Sequence, residues 1–150
     1  MHKIEEIKWL WREDIVGRKI RKIIVSDEGW HGEFYLGHIH VQMDDGLWFL
    51  LGNCEPYDEA PLPVIRGDEI RSMKKQPWEE SDRCLNQTIC EIVEGNWPEP
   101  GLILSDRVLI HSDSDFPVPV LNPKLRALSE VDLSEVETYW GHQPVTGIES

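Results

Sequence analysis

The fold is decided by the stretch Tyr35-Leu-Gly-His-Ile-His-Val-Gln-Met-Asp-Asp-Gly-Leu-Trp-Phe-Leu-Leu51. In its first half, apolar residues alternate with the polar residues His38, His40 and Gln42, which is the pattern of a strand with one buried face. Asp45-Gly46 then provides a two-residue hairpin turn, because glycine takes a positive φ without steric cost, and an apolar run returns. The sequence therefore predicts an antiparallel β-hairpin.

A faint internal repeat links this hairpin to a second one. At an offset of 69, the apolar positions of one segment match those of another: Val16, Ile20, Ile23 and Ile24 against Leu85, Ile89, Ile92 and Val93. At an offset of 61, a turn and its flanks match: Val41, Met43, Asp45, Leu47 and Phe49 against Leu102, Leu104, Asp106, Val108 and Ile110. The repeat units cover about 16–52 and 85–112. Duplication and chance alternation of apolar residues both explain the match.

Helices are predicted at both ends of the chain. Residues 3–14 place apolar side chains on one helical side, including Trp11, which we therefore expect to be buried. Asp132 fits a helix N-cap with Glu135 three residues later, and Gly141 fits the end of a short acidic C-terminal helix.

The segments between and after the hairpins are predicted to be less regular. Prolines oppose regular structure in the connector 53–77, although 68–75 fits a short helix, and residues 116–123 are expected to form an edge strand or a connector. The predicted fold class is α+β, mainly antiparallel β-sheet of two hairpin or meander units with an N-terminal helix and a short C-terminal helix. A single domain is expected to cover residues 1–150.

Charge is strongly negative and unevenly distributed. The net charge is −13, with −3 over residues 1–75 and −10 over residues 76–150, and residues 23–65 contain no Lys or Arg. The basic run Arg18-Lys-Ile-Arg-Lys22 is explained as a solvated strand with acidic cross-strand partners. A protein that binds a nucleic acid or an anionic membrane needs a basic surface, so neither is an expected partner. An acidic surface attracts a basic one, and a basic protein domain is therefore the expected partner.

The chain has no recognisable targeting segment and no cofactor motif. Residues 1–6 lack a basic stretch followed by an apolar run, and the apolar run 47–51 is far too short to span a bilayer, so a cytoplasmic protein is expected. Cys54, Cys84 and Cys90 are odd in number and have neither disulfide-framework nor zinc-site spacing. We therefore expect reduced cysteines and no cofactor.

His38 and His40 are the sharpest candidates for metal chemistry, because residues two apart on a strand point the same way. With Gly32, Asp45 and Gly52 they resemble the first metal-binding motif of the cupin family, with Asp45 where that family has Glu. This resemblance implies a small metal-dependent enzyme as an alternative. The second cupin motif has no counterpart in the chain, so the favoured interpretation is that both histidines lie on the solvent face of the strand.

No complete catalytic motif accompanies the histidines. The sequence contains neither G-x-S-x-G nor a glycine-rich phosphate loop, so we expect a protein that is not an enzyme. Seven tryptophans instead suggest binding. Trp48 is expected to be buried, whereas Trp30, Trp97 and Trp140 lie beside Gly, Pro or a chain end and are candidates for either interface or packing.

The chain resembles the bacterial immunity proteins of polymorphic-toxin systems, which are small acidic cytoplasmic proteins that each neutralise one cognate toxin domain. The resemblance rests on Gly17-Arg-Lys-Ile-Arg-Lys-Ile-Ile-Val25 and Gln42-Met-Asp-Asp-Gly-Leu-Trp48, together with size and charge. It implies occlusion of the basic groove of a nuclease-like toxin. The predicted partner-binding residues combine acids and tryptophans: Asp44, Asp45, Asp58, Glu59, Trp30, Trp97, Asp132, Glu135, Glu137 and Trp140.

Overall fold

Alternating apolar residues build two antiparallel sheets in the computed structural model of the protein, which describes residues 9–26, 38–51, 61–97, 99–115 and 120–145. The elements of the first half are β1 (Trp9–Leu10), α1 (Arg12–Ile15), β2 (Ile20–Ser26), β3 (Ile39–Met43), β4 (Trp48–Leu51), β5 (Leu62–Ile65), α2 (Gly67–Ser72) and β6 (Lys75–Gln76). Those of the second half are β7 (Ile89–Glu94), β8 (Gly101–Leu104), β9 (Val108–Asp115), β10 (Val120–Ala127) and β11 (Glu137–Thr138), with 3₁₀ turns at Glu79–Cys84, Leu128–Glu130 and Leu133–Glu135.

The two sheets have the same strand order. The first runs β1-β5-β4-β3-β2-β6, and the second runs β10-β9-β8-β7-β11, so each half forms one sheet and β1 is an addition to the first. The hairpin expected around Asp45-Gly46 is formed by β3 and β4, with Gly46 at φ +91°. The mainly antiparallel β-architecture is therefore as predicted.

The pairing registers follow the two offsets found in the sequence. Ile20 pairs with Met43 in the first sheet, and Ile89 pairs with Leu104 in the second. Both ladders then contain a register shift at the next step of β2 and of β7. Such a bulge is a specific feature of a strand pair, so its presence at equivalent positions makes the two ladders structural counterparts.

The correspondence extends beyond the units 16–52 and 85–112. Phe49 faces Val64 in the first sheet, and Ile110 faces Leu125 in the second, so the offset of 61 also relates β5 to β10. The same offset relates β6 to β11, which pair with β2 and β7 respectively. Each structural unit therefore contains five equivalent strands.

Reciprocal hydrogen bonds join the two units. The amide of Gly17 donates to the carbonyl of Ile89 at 2.8 Å, and the amide of Asn86 donates to the carbonyl of Ile20 at the same distance. Gly17 and Asn86 both have positive φ, +95° and +68°. Because each bond is the counterpart of the other at an offset of 69, the two units are related by an approximate twofold axis.

The main hydrophobic core lies between the sheets. It contains side chains from both halves, including Ile20 and Phe49 from the first and Ile89 and Ile110 from the second. Each sheet also has an outer cluster on its other face. The first includes Ile24, Trp48 and Ile70, and the second includes Val93, Leu109, Leu128 and Val136.

The two terminal helices predicted from the sequence are only partly confirmed. Within the described part of the N-terminal segment, Trp9–Leu10 pairs with β5, and only Arg12–Ile15 is helical. A helix of about 12 residues has little stability of its own, so the pairing of Trp9–Leu10 with β5 is the more stable arrangement. Asp132 does cap a turn, but the turn is a single 3₁₀ turn and the chain then joins β7 as Glu137–Thr138.

Two smaller predictions from the sequence are corrected as well. Pro63 lies inside β5, within the connector expected to be irregular, and it pairs with the short strand β1. Trp11, expected in the core, is 45% exposed. It precedes α1 as the N-cap residue, in extended backbone, and is not part of a helix.

Candidate functional site

An acidic segment, residues 128–140, runs along the second sheet. Its exposed carboxylates belong to Glu130, Asp132, Glu135 and Glu137, and no Lys or Arg occurs between residue 127 and the end of the chain. The carboxylate of Asp132 accepts hydrogen bonds from the amide and hydroxyl of Ser134, which lower its pKa. The segment therefore combines several negative charges on fixed turns.

The acidic segment ends at an aromatic cluster. The ring centroids of Trp140 and Trp11 are 6.1 Å apart with the planes tilted by 42°, and Tyr139 meets Trp140 edge-on at 4.8 Å. Tyr139 is buried and Trp140 is half-buried, whereas Trp11 is 45% exposed. Trp9 has a similar exposure, 46%, but is not part of this cluster.

A pair of carboxylates on the β7–β11 ladder is bridged by a histidine. Glu94 and Glu137 lie directly opposite each other on the β7–β11 ladder, where like charges repel. The Nδ1 atom of His142 lies 2.5 Å from Glu94 and 3.4 Å from Glu137. Among the described residues, this is the one group of three potential metal ligands with close ligand atoms. His142 thus lies close to both carboxylates of the pair.

Two other predicted partner-binding acids, Asp44 and Asp45, have a base of the same chain beside them. Asp44 and Asp45 lie in the β3–β4 turn beside Arg18, whose guanidinium nitrogens are 3.6 Å and 3.8 Å from the two carboxylates. The basic run thus has acidic neighbours across the sheet, and part of the charge of Asp44 and Asp45 is balanced within the chain. Asp58, Glu59 and Trp30 lie outside the described residues.

His38 and His40 are buried, so the solvent-face interpretation is wrong for both. Across the strands, His40 lies between Ile24 and Leu50, and Ile70 of α2 packs against Ile24 on this outer face. Burial lowers the pKa of each histidine to about 4, and the neighbouring His38 contributes to the lowered pKa of His40. Both ring nitrogens of His40 are without a hydrogen-bond partner in the described part of the chain.

A metal at His38 and His40 would need further ligands. Within the described ranges, no third His, Cys, Asp or Glu groups with them, and Asp45 instead accepts a hydrogen bond from the amide of Leu47. A pair of ligands is a weak chelate, so we predict that His38 and His40 hold no metal. Elemental analysis of protein purified without an affinity tag checks this, and stoichiometric metal that is lost on replacing both histidines by Ala would favour the cupin-like enzyme.

Another buried histidine occupies the outer face of the second sheet. His111 stacks on Trp97, with ring centroids 4.5 Å apart, and its Nε2 accepts a hydrogen bond from Arg126 at 2.8 Å. Its Nδ1 lies 2.8 Å from the carbonyl oxygen of Ser112, which fixes the neutral ring with the proton on Nδ1. Burial lowers the pKa of His111. Trp97 is thus half-buried and packs within the outer cluster.

The described cysteines are unsuited to nucleophilic catalysis. Burial raises the pKa of Cys84 to about 12 and also raises that of Cys90, so both thiols stay protonated at neutral pH. They are free, as expected from their spacing.

The sequence did not reveal Trp11, Glu94 or His142 as parts of the Trp140 region. Trp11 and Trp140 lie far apart in the chain, and only the return of β11 along β7 brings them together. Among the described residues, no helix has the length and apolar character needed to cross a lipid bilayer. The sequence matches no protein-family model, and comparison with curated proteins and with solved structures gives no significant match.

Proposed function

We propose that the protein is an acidic binding protein that neutralises a basic protein domain. In its most specific form, the proposal is that the protein is an immunity protein that occludes the active site of a cognate nuclease-like toxin. The observation that carries the proposal is the acidic segment 128–140, which displays four exposed carboxylates, contains no basic residue and ends at the aromatic cluster.

The carboxylates and the aromatic side chains of this region are suited to different steps of binding. The carboxylates attract a cationic domain over about 10 Å, the screening length at moderate ionic strength, and so raise the association rate. Aromatic side chains that become desolvated on docking slow dissociation. This combination gives both rapid recognition and a persistent complex, which an inhibitor of a toxic enzyme requires.

We expect the association rate with the physiological partner to fall steeply with salt, while the dissociation rate changes little. The partner is recovered by pull-down from the native cell, and the rates are measured by stopped flow between about 20 and 150 mM salt. Combined Glu130→Lys and Glu135→Lys substitution is expected to slow association by roughly tenfold.

A matched control separates local charge from net charge. Asp68→Lys with Glu69→Lys makes the same charge change on α2, where both side chains are exposed, and should slow association much less. Equal slowing by both pairs would show that the acidic segment has no special role. A partner that is acidic or neutral, or an association rate insensitive to salt, contradicts the proposed function itself.

A further inference from the structure

The Trp11–Trp140 pair is absent from the other side of the approximate twofold axis. Extending the offsets of 69 and 61 to these two positions gives Glu80 and Glu79, which are consecutive in the chain. There the chain passes directly from the first unit to the second. On the Trp140 side, the two units meet without a covalent link, and two tilted indole rings lie next to each other instead.

The surroundings of the pair are anionic. Glu13 and Asp14 follow Trp11 in α1 and are exposed. Glu137 lies three residues before Trp140, with its carboxylate 3.4 Å from Nδ1 of His142. The base next to Trp11 in the sequence, Arg12, donates two hydrogen bonds to Glu91, of 2.8 Å and 3.1 Å, so its guanidinium already has an acidic partner. Glu13 is exposed and has no ion pair within 4.0 Å among the described residues, although its charge also acts on the neighbouring Arg12.

We infer that Trp11 and Trp140 are the docking point for an arginine side chain of the basic partner. This inference rests on the proposed function and names the surface that performs it. The face of an indole ring attracts a cation, and a guanidinium can stack on the ring while its N–H groups donate to carboxylates. Lysine lacks that planar fork, so arginine fits an aromatic pair flanked by carboxylates better.

The competing explanation is structural. Trp140 packs against the central core, and the ring pair could serve only to hold the start of the first unit against the end of the second. The two explanations make different predictions, because a purely structural pair would not respond to a cationic ligand and its loss would not change affinity for one.

The experiment uses the full chain labelled with 5-fluorotryptophan, which gives one ¹⁹F resonance for each of the seven tryptophans. The probe is a ten-residue peptide of alternating Arg and Gly, with matched Lys-Gly and Glu-Gly peptides. We expect the arginine peptide to shift the resonances of Trp11 and Trp140 most and to bind more tightly than the lysine peptide. Trp11→Ala should weaken its binding by roughly threefold to tenfold.

Trp9→Ala is the matched control, since Trp9 is as exposed as Trp11 but lies outside the ring pair; we expect a change of less than about twofold. If Trp140→Ala does not fold, the resonances and the Trp11→Ala variant decide. Binding that shifts other tryptophans, or that Trp11→Ala leaves intact, overturns the docking point but not the proposed function. If the arginine peptide binds no better than the glutamate peptide, the proposed function fails too.

Discussion

Acidification from neutral pH to about pH 4 is expected to destabilise the protein through His38 and His40, whose pKa values are lowered from 6.5 to about 4 by burial. In the unfolded chain both histidines regain the ordinary value, so the unfolded state binds protons first as the pH falls. Above about pH 6.5 both histidines are neutral in the folded and the unfolded state, and they cause no loss of stability. The free energy of unfolding falls between about pH 6.5 and pH 4, and the histidines change it no further below that. Each histidine contributes about 3 kcal/mol to this loss.

The measurement is the free energy of unfolding in urea at several pH values across this window. His40→Leu removes one titrating group from a position where both ring nitrogens are without a described partner, and it should flatten the pH dependence. Gln42→Leu, an apolar replacement on the same face of β3, should leave the slope unchanged. His38 is still present in His40→Leu, and the pKa of His111 is lowered by burial as well, so some slope remains in this variant. An equal slope in wild type and His40→Leu would contradict the assignment.

The strands could be predicted from the sequence because their pattern is local. Alternation through β3 and the Asp45-Gly46 turn specified the first hairpin. The repeat offsets agree with the registers of both sheets, but the equivalent bulges were not predicted. The same reasoning placed His38 and His40 in solvent, because an alternating strand is usually covered on one face only. Here α2 packs against the second face, and that contact has no local signature.

The candidate site was predicted only in part for the same reason. Asp132, Glu135 and Glu137 were identified from their charge, and Trp140 from its position beside Gly, Pro or a chain end. All four lie along one segment. Trp11 was assigned to the core because residues 3–14 have helical periodicity. The pairing of Trp9–Leu10 with Leu62 and Pro63 overrides that periodicity, and a contact between distant segments cannot be deduced from either segment alone.

Replacement of Phe49 by Ala is expected to lower the free energy of unfolding by about 3–5 kcal/mol. Phe49 is fully buried between the sheets, where truncation removes apolar contacts and leaves a cavity that close-packed neighbours fill only partly. Ile110 is its counterpart in the second unit, and Ile110→Ala should cost about 2–5 kcal/mol. Leu85→Ala, at a residue 36% exposed, is the control and should cost less than about 1 kcal/mol.

The decisive measurement is whether Phe49→Ala lowers amide protection in the first sheet alone or in both sheets. The central cluster contains side chains from both sheets, so a cavity made from the first sheet should also weaken the second, and the protein should unfold in one transition. Hydrogen exchange checks this: amide protection in β8 and β9 should fall together with that in β3 and β4. Protection that falls in the first sheet and stays at the wild-type level in the second would show that the two five-stranded units unfold independently, which would contradict the expectation of a single cooperative domain.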